Sequence, residues 1–270
     1  MSKIEPPRRS KDEIIELSKL IYKNINQNIN QIQPIFDINI ESETFFYGIL
    51  ARLQSLVTDI SCLLSNRYNT SFTSIFILSR VILDDFATLH YICNSVDIIE
   101  EITKLNADAH DKTIKKVSEL ADLNENFLNG KFPHYPTHNV LTELKKVIIN
   151  KSDSDKYFIN KEEMRFKKFL TMRDLIVSYK GKDSYADLSR LYFRWRQLSD
   201  YVHYSKFSYD YDVQNQNPEY QYNDVEEFLL YAYFGCKLIM KQFERKYPAK
   251  HIPNEIIDNL EINYFSSINL

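Results

Sequence analysis

Arg196, Ser199, Asp200 and His203 are spaced to share one face of a helix. At about 100° per residue, positions seven apart point the same way. Arg196 and His203 are seven apart, Ser199 is three beyond Arg196, and Asp200 is four beyond it. A histidine takes up or gives a proton near neutral pH, and an arginine is a permanent cation. Such a set suits proton transfer beside an anion. The same residues also fit a purely structural role, in which Arg196 pairs with Asp200 or Asp84 and His203 is a satisfied histidine at the core boundary.

The helix that carries them is expected over residues 184–207. Leu188, Leu191, Trp195, Leu198 and Val202 fall within one arc and form its expected buried face. Tyr192, Arg196, Ser199, Asp200 and His203 form the neighbouring stripe. That position predicts partial dehydration, where charge interactions strengthen. Phe193, Tyr201 and Tyr204 lie on the outer side. Ten tyrosines occur between Tyr185 and Tyr233, and packing within or between subunits explains them better than base stacking does.

A counterpart is expected on an earlier helix, over residues 70–94. It is apolar around most of its circumference, as a central helix of a bundle is. Arg80 and Asp84 form its narrow polar stripe, with Thr88 and Tyr91 in line. A central helix bears a desolvation cost for these charges unless they pair, with each other or with Arg196 and His203 across the bundle.

The rest of the chain reads as a frame for these two helices. Residues 1–9 lack periodicity. Ser10-Lys11-Asp12-Glu13 has the capping-box form and opens a helix to about Gln33, before Pro34. A helix over 43–66 and the one over 70–94 are joined by a short link and should be antiparallel neighbours. Asp97 to Glu100 caps a third, to about Leu123. Gly130, Pro133 and Pro136 mark a loop over 124–139, and a short helix follows over 140–149. Asn160-Lys161-Glu162-Glu163 caps a helix to about Tyr179 that Gly181 ends. A polar loop spans 208–222, and Asn223 to Glu226 caps a last long helix that Pro248 stops. No strand-like alternation of useful length is found. The expected organisation is a tail and helical arm over 1–42, a bundle over 43–247 with an insertion over 123–160, and a tail over 248–270.

Arg196-Gln197-Leu198-Ser199-Asp200-Tyr201-Val202-His203 fits the pattern of an arginine, six residues and a histidine on a late helix. In this it resembles the HEPN superfamily. Ser79-Arg80-Val81-Ile82-Leu83-Asp84 followed by Leu89-His90-Tyr91, and the spacing from Ser199 to His203, resemble a bacterial group of HEPN-like domains. The resemblance covers residues 43–245. It departs from the pattern at the long limit of the Arg–His spacing, and only Gln197 stands for the polar residue that often follows the arginine. The fold it implies is all-α, a HEPN-like up-and-down helical bundle. The activity it implies is metal-independent endoribonuclease chemistry of toxin–antitoxin, abortive-infection or antiviral systems, by homodimers whose two motifs share a cleft. In that reading His203 moves the proton of a ribose 2′-hydroxyl or of the leaving oxygen. Arg196 holds the phosphate and stabilises transition-state charge. Ser199 or Asp200 orients His203 or bonds the phosphate, with Arg80 and Asp84 as supporting residues. The competing expectation is a non-catalytic interaction module, such as an adaptor, sensor or antitoxin-like subunit with a partner protein.

Bulk properties narrow the field. With 44% hydrophobic residues the chain can bury a sizeable core, and 4 Gly and 8 Pro are too few for many short strands. A net charge of −3 argues against general coating of nucleic acid, though not against one focused RNA site. Cys62, Cys93 and Cys236 are expected to be buried free thiols of a reducing compartment. The N-terminus lacks a signal-peptide pattern, and no apolar run reaches the roughly 18 residues that span a bilayer. A cytoplasmic protein with no membrane partner is the expectation. His134 and His138 sit in a proline-bounded loop with no evident acidic partner, so no metal site is expected there. Asp200-x-x-His203 is half of a di-iron motif with no second copy. His90 is expected in the core. No glycine-rich phosphate loop is present, and neither cofactor nor metal is expected.

Overall fold

In the computed structural model, residues 9–66, 72–202 and 218–248 are described. Among them the chain forms α1 (Lys11–Ile32), α2 (Glu41–Leu64), α3 (Phe72–Cys93), α4 (Ile98–Asp122), α5 (His138–Asn150), the short strands β1 (Phe158–Asn160) and β2 (Arg165–Phe166), α6 (Met172–Val177), α7 (Tyr185–Val202) and α8 (Pro218–Lys246). The protein is predominantly helical, and its larger unit is a helical bundle. It divides into two compact units, Ser95–Leu170 and the remainder.

The larger unit holds α1, α2, α3, α6, α7 and α8. Its centre is α3, which packs against α2, α6, α7 and α8. The apolar circumference read from the sequence is spent on these neighbours: Ile75, Phe76, Ile82, Leu83, Phe86, Leu89 and Ile92 are all buried. The other axis is α8, whose Phe228, Tyr231, Tyr233, Phe234 and Phe243 are almost wholly enclosed. Gly235 lets α8 approach closely. A Cβ there would stand 3.2 Å from a Leu53 methyl of α2 and 3.5 Å from a Leu89 methyl of α3.

The first helix is no separate arm. Ile14, Ile21, Ile25 and Ile32 are fully buried, and α1 packs on α2 and α8. Its capping box forms as the sequence predicts: Ser10 Oγ accepts from Glu13 N, and the Ser10 N–H donates to Glu13 Oε2 at 2.7 Å. The asparagines and glutamines between these isoleucines hid the stripe in the sequence. Asn24 and Asn28 are themselves buried, and Asn28 Nδ2 reaches Cys236 Sγ of α8 at 3.1 Å.

The last helix begins at Pro218, five residues before the predicted cap. Proline is favoured at a first helical position, where its missing N–H costs nothing. The residues read as a capping box are inside the helix and hold another segment. Asn223 Oδ1 accepts from Arg9 N at 2.9 Å, and Glu226 Oε1 accepts from Arg9 Nε at 3.0 Å. Arg190 and Arg194 fasten α7 to α8. Arg190 makes two 2.9 Å bonds to the buried Glu227, and Arg194 Nη2 reaches Asp224 at 2.6 Å and Glu227 at 3.3 Å.

The smaller unit is built on α4, with α5 packed on it. Ala107, Ile148, Tyr157, Phe158 and Phe166 form its core. It is wider than the insertion read over 123–160, because α4 packs with these elements. Here the expected helix from Asn160 is replaced by a hairpin. Phe158 pairs with Phe166 across an antiparallel ladder, with ring centroids 4.5 Å apart. Asn160 Oδ1 does accept from Glu163 N at 3.2 Å, the bond a helix cap would make. The same bond closes a turn, and side chains of this type serve both. The true cap is Thr171, whose Oγ1 accepts from Asp174 N at 3.3 Å to start α6. Gly181 ends the turn after α6 in the left-handed region, at φ +87°.

Among the described residues no helix is long and apolar enough to cross a membrane. The thiols divide. Cys93 and Cys236 are buried and free, and burial pushes each up to about 12. Cys62, expected inside, is exposed, because it lies off the buried Leu53–Val57–Ile60–Leu64 stripe of α2.

Candidate functional site

The polar stripes of α3 and α7 meet. Arg80 Nε donates to Ser199 Oγ at 3.0 Å, and Ser199 Oγ donates to the Trp195 carbonyl at 2.9 Å. Trp195 Nε1 donates to Asp84 Oδ1 at 2.8 Å. The Arg80 guanidinium lies over the Trp195 ring, 4.8 Å from its centroid, and the ring stacks on Tyr192 at 5.9 Å. Arg80 Nη1 and Asp84 Oδ2 stand 4.0 Å apart. Arg80, Asp84, Trp195 and Ser199 therefore form a closed polar ring between two helices.

Helix geometry explains why these four meet. Arg80 and Asp84 are one turn apart on α3, as are Trp195 and Ser199 on α7, so each helix presents two groups on one face, and they meet where the helices pack at a matching level. The buried stripe of α7, Leu188, Leu191 and Leu198, seats the helix and sets that level. Trp195, expected among them, is half-buried, because its indole edge turns to Asp84. Val202 is exposed.

Beside this ring is a cavity of about 660 Å³, lined by Arg80, Phe193, Trp195, Arg196, Gln197, Ser199 and Asp200. Arg196, predicted at a dehydrated border, is exposed, while Ser199 and Asp200 are half-buried. Neither Asp200 nor Asp84 pairs with Arg196, which has no ion pair among the described residues. Phe193 is also exposed at the cavity. Tyr201 packs inward on Phe76, with centroids 5.1 Å apart. Of the six predicted site residues, Arg80, Asp84 and Ser199 are joined by the ring, and Arg196 and Asp200 line the same cavity. His203, and Tyr204 with it, lie outside the described residues.

Burial raises the Asp84 carboxyl above the usual carboxylate range, against the opposing pull of the Arg80 charge, the Trp195 N–H and Arg52. Its neighbour Asp85 faces α2, is 6% exposed, and stands 3.3 Å from Arg52 Nε. Burial pushes Asp85 up to about 6, with Arg52 opposing and the adjacent Asp84 charge adding. Trp195, Phe193 and Arg52 were missed as members of this neighbourhood. Trp195 is the only tryptophan of the chain and lies one turn before Ser199, which was the available signal.

The remaining candidates resolve simply. His90 is a core histidine, 3% exposed. Burial holds its pKa down to about 4, helped by the Lys182 charge. Its Nδ1 is 3.1 Å from Tyr179 Oη, which donates to the His90 carbonyl at 3.2 Å. His138 does have acidic partners, contrary to the sequence reading: Glu125 Oε2 at 2.5 Å and Asp122 Oδ1 at 3.0 Å. They come from the end of α4 and the π-helical turn after it, a proximity only the tertiary fold creates. The Glu125 hydrogen bond, then that to Asp122, raises its pKa. Among the described residues no group of three or more His, Cys, Asp or Glu side chains is placed to hold a metal ion.

Compared with family models, with curated proteins and with solved structures, the chain matches none.

Proposed function

We propose that this chain is a metal-independent endoribonuclease of the toxin, abortive-infection or antiviral type, a HEPN-like protein working as a homodimer. One observation carries the reading: Arg80 and Arg196 line one cavity with Ser199, on the helix whose sequence runs on to His203. In the reaction, His203 as base takes the proton of a ribose 2′-hydroxyl, and that oxygen attacks the adjacent phosphorus. The bond to the 5′-oxygen breaks, and this oxygen leaves with a proton from a general acid. The products are a 2′,3′-cyclic phosphate and a 5′-hydroxyl. Arg196 stabilises the charge that builds on the phosphoryl oxygens. Asp200 orients His203.

The test is RNA cleavage in EDTA, wild type against His203→Ala, with analysis of the product ends. Cleavage by the wild type alone, leaving 2′,3′-cyclic phosphates and an unchanged melting temperature in the variant, is the expected result. Equal cleavage by both proteins sinks the reading.

A second reading, a non-catalytic interaction module, is favoured by the exposure of Phe193 at the cavity. An aromatic side chain there suits a protein partner. It predicts that Phe193→Ser abolishes a partner or self-association detectable by size exclusion or pull-down, with no RNA cleavage by either form. An unchanged elution and pull-down profile counts against it.

A further inference from the structure

We propose that Arg80 is the anchored phosphate-binding residue of the cavity, fixed by its cage of Ser199, Trp195 and Asp84. The inference deepens the ribonuclease reading and rests on it for the ligand, the phosphodiester of a single-stranded RNA.

A guanidinium has five N–H donors. Arg80 spends one, Nε, on Ser199. One face of its plane is covered by Trp195. An aspartate one turn on would ordinarily take the remaining edge. Here Asp84 is turned toward the indole, with Oδ1 2.8 Å from Trp195 Nε1, while Oδ2 stays 4.0 Å from Arg80 Nη1, beyond hydrogen-bond range. The four N–H groups on Nη1 and Nη2 thus make no hydrogen bond among the described residues, although the side chain is only 26% exposed. Solvent meets these donors in the free protein, and an anion that displaces it gains charge-assisted hydrogen bonds. The void it lines, about 660 Å³, has room for one.

The chemistry of the acceptor follows from the donor. The edge of a guanidinium presents paired N–H groups that match two oxygens of a phosphate. Its orientation is fixed in advance by the Ser199 bond and the Trp195 stack, so little entropy is lost on binding. Arg196 lines the same cavity, is exposed and has no ion pair among the described residues, and it acts as the second cation. Asp84 and Asp200 balance these two charges. The site therefore suits one seated phosphodiester rather than a long run of backbone phosphates.

Trp195 is the only tryptophan and touches Arg80, so its fluorescence reports on the site. The full chain is titrated with a short 2′-O-methylated oligouridylate, which carries phosphodiesters but no 2′-hydroxyl and resists this cleavage. Anisotropy of the labelled oligonucleotide gives a parallel reading. Wild type is expected to bind saturably. Arg80→Lys, which keeps the charge but loses the fork, is expected to stay folded and to bind about tenfold more weakly. Arg80→Ala is expected to lower the slope of log affinity against log salt by about 0.7, one phosphate contact on a single strand. Arg196→Ala is expected to weaken binding less than Arg80→Lys does. Absence of wild-type binding, or wild-type affinity and salt slope in a folded Arg80→Lys, overturns the proposal. Arg80-dependent binding by a protein that leaves ordinary RNA intact retires the cleavage reading and keeps this site. Cleavage by a chain whose Arg80→Lys form binds normally does the reverse.

Discussion

Replacing Asp85 with asparagine tests how a buried carboxyl between α2 and α3 is carried. Asp85 is 6% exposed, and burial outweighs the Arg52 attraction, so its folded pKa is about 6. An unfolded aspartate titrates near ~3.9, and each unit is worth about 1.4 kcal/mol. The raised folded value means that the native state holds the proton more tightly. That contribution is complete below the unfolded pKa and is lost as pH rises through about 6. The loss is about 3 kcal/mol. Asparagine has the shape of the protonated acid and never ionises. Asp85→Asn should therefore match wild type at about pH 3.5 and exceed it by up to about 3 kcal/mol at about pH 7.5. Urea denaturation at both pH values, with the m-value checked for constancy, measures the difference. A variant that is less stable than wild type at the higher pH refutes the reasoning. It would show that the Asp85–Arg52 pair more than repays its desolvation.

Two further outcomes follow from buried ionisable groups elsewhere in the bundle. His90 is held neutral with a pKa of about 4, so the unfolded chain takes its proton first as pH falls below ~6.5. The stability it contributes, about 3 kcal/mol, is lost as pH falls toward 4. The wild-type protein should lose that amount relative to His90→Leu between these pH values, and parallel curves for the two proteins would contradict the burial argument. The buried Glu227 is satisfied by Arg190 and Arg194. Removing both arginines together should cost about 3 kcal/mol, the low end for a stranded carboxylate because both guanidiniums are partly hydrated. Adding Glu227→Gln should recover most of it by thermal or urea melting, and a triple variant no more stable than the double would show that the loss was packing rather than charge.

The sequence determined the helices that have a strong apolar period and a clear cap. Residues 70–94 read as a central helix because only one narrow stripe is polar, and that stripe, Arg80 and Asp84, is where α3 meets α7. The i,i+4 spacing also put Ser199 on the correct side of its helix. Local rules failed where one local bond serves two structures. Asn160 caps a turn and Thr171 caps the helix, and nothing within a few residues says which, because the hairpin is held by Phe158 and Phe166 packing in their own core. Asn223 and Glu226 have the form of a cap but bind Arg9, over two hundred residues away in sequence.

The tertiary structure alone decided the partners of the candidate site. Periodicity says which residues share a face of one helix but not the level at which two helices cross. That level is set by the fit of Leu188, Leu191 and Leu198 against the bundle and by the Arg190 and Arg194 pairs with α8. From it follow the pairing of Arg80 with Ser199, the capture of Asp84 by the Trp195 edge, and the cavity that Arg196 lines. Charged side chains are cheap to place anywhere on a hydrated surface. Their positions become specific only when packing has removed the water around them.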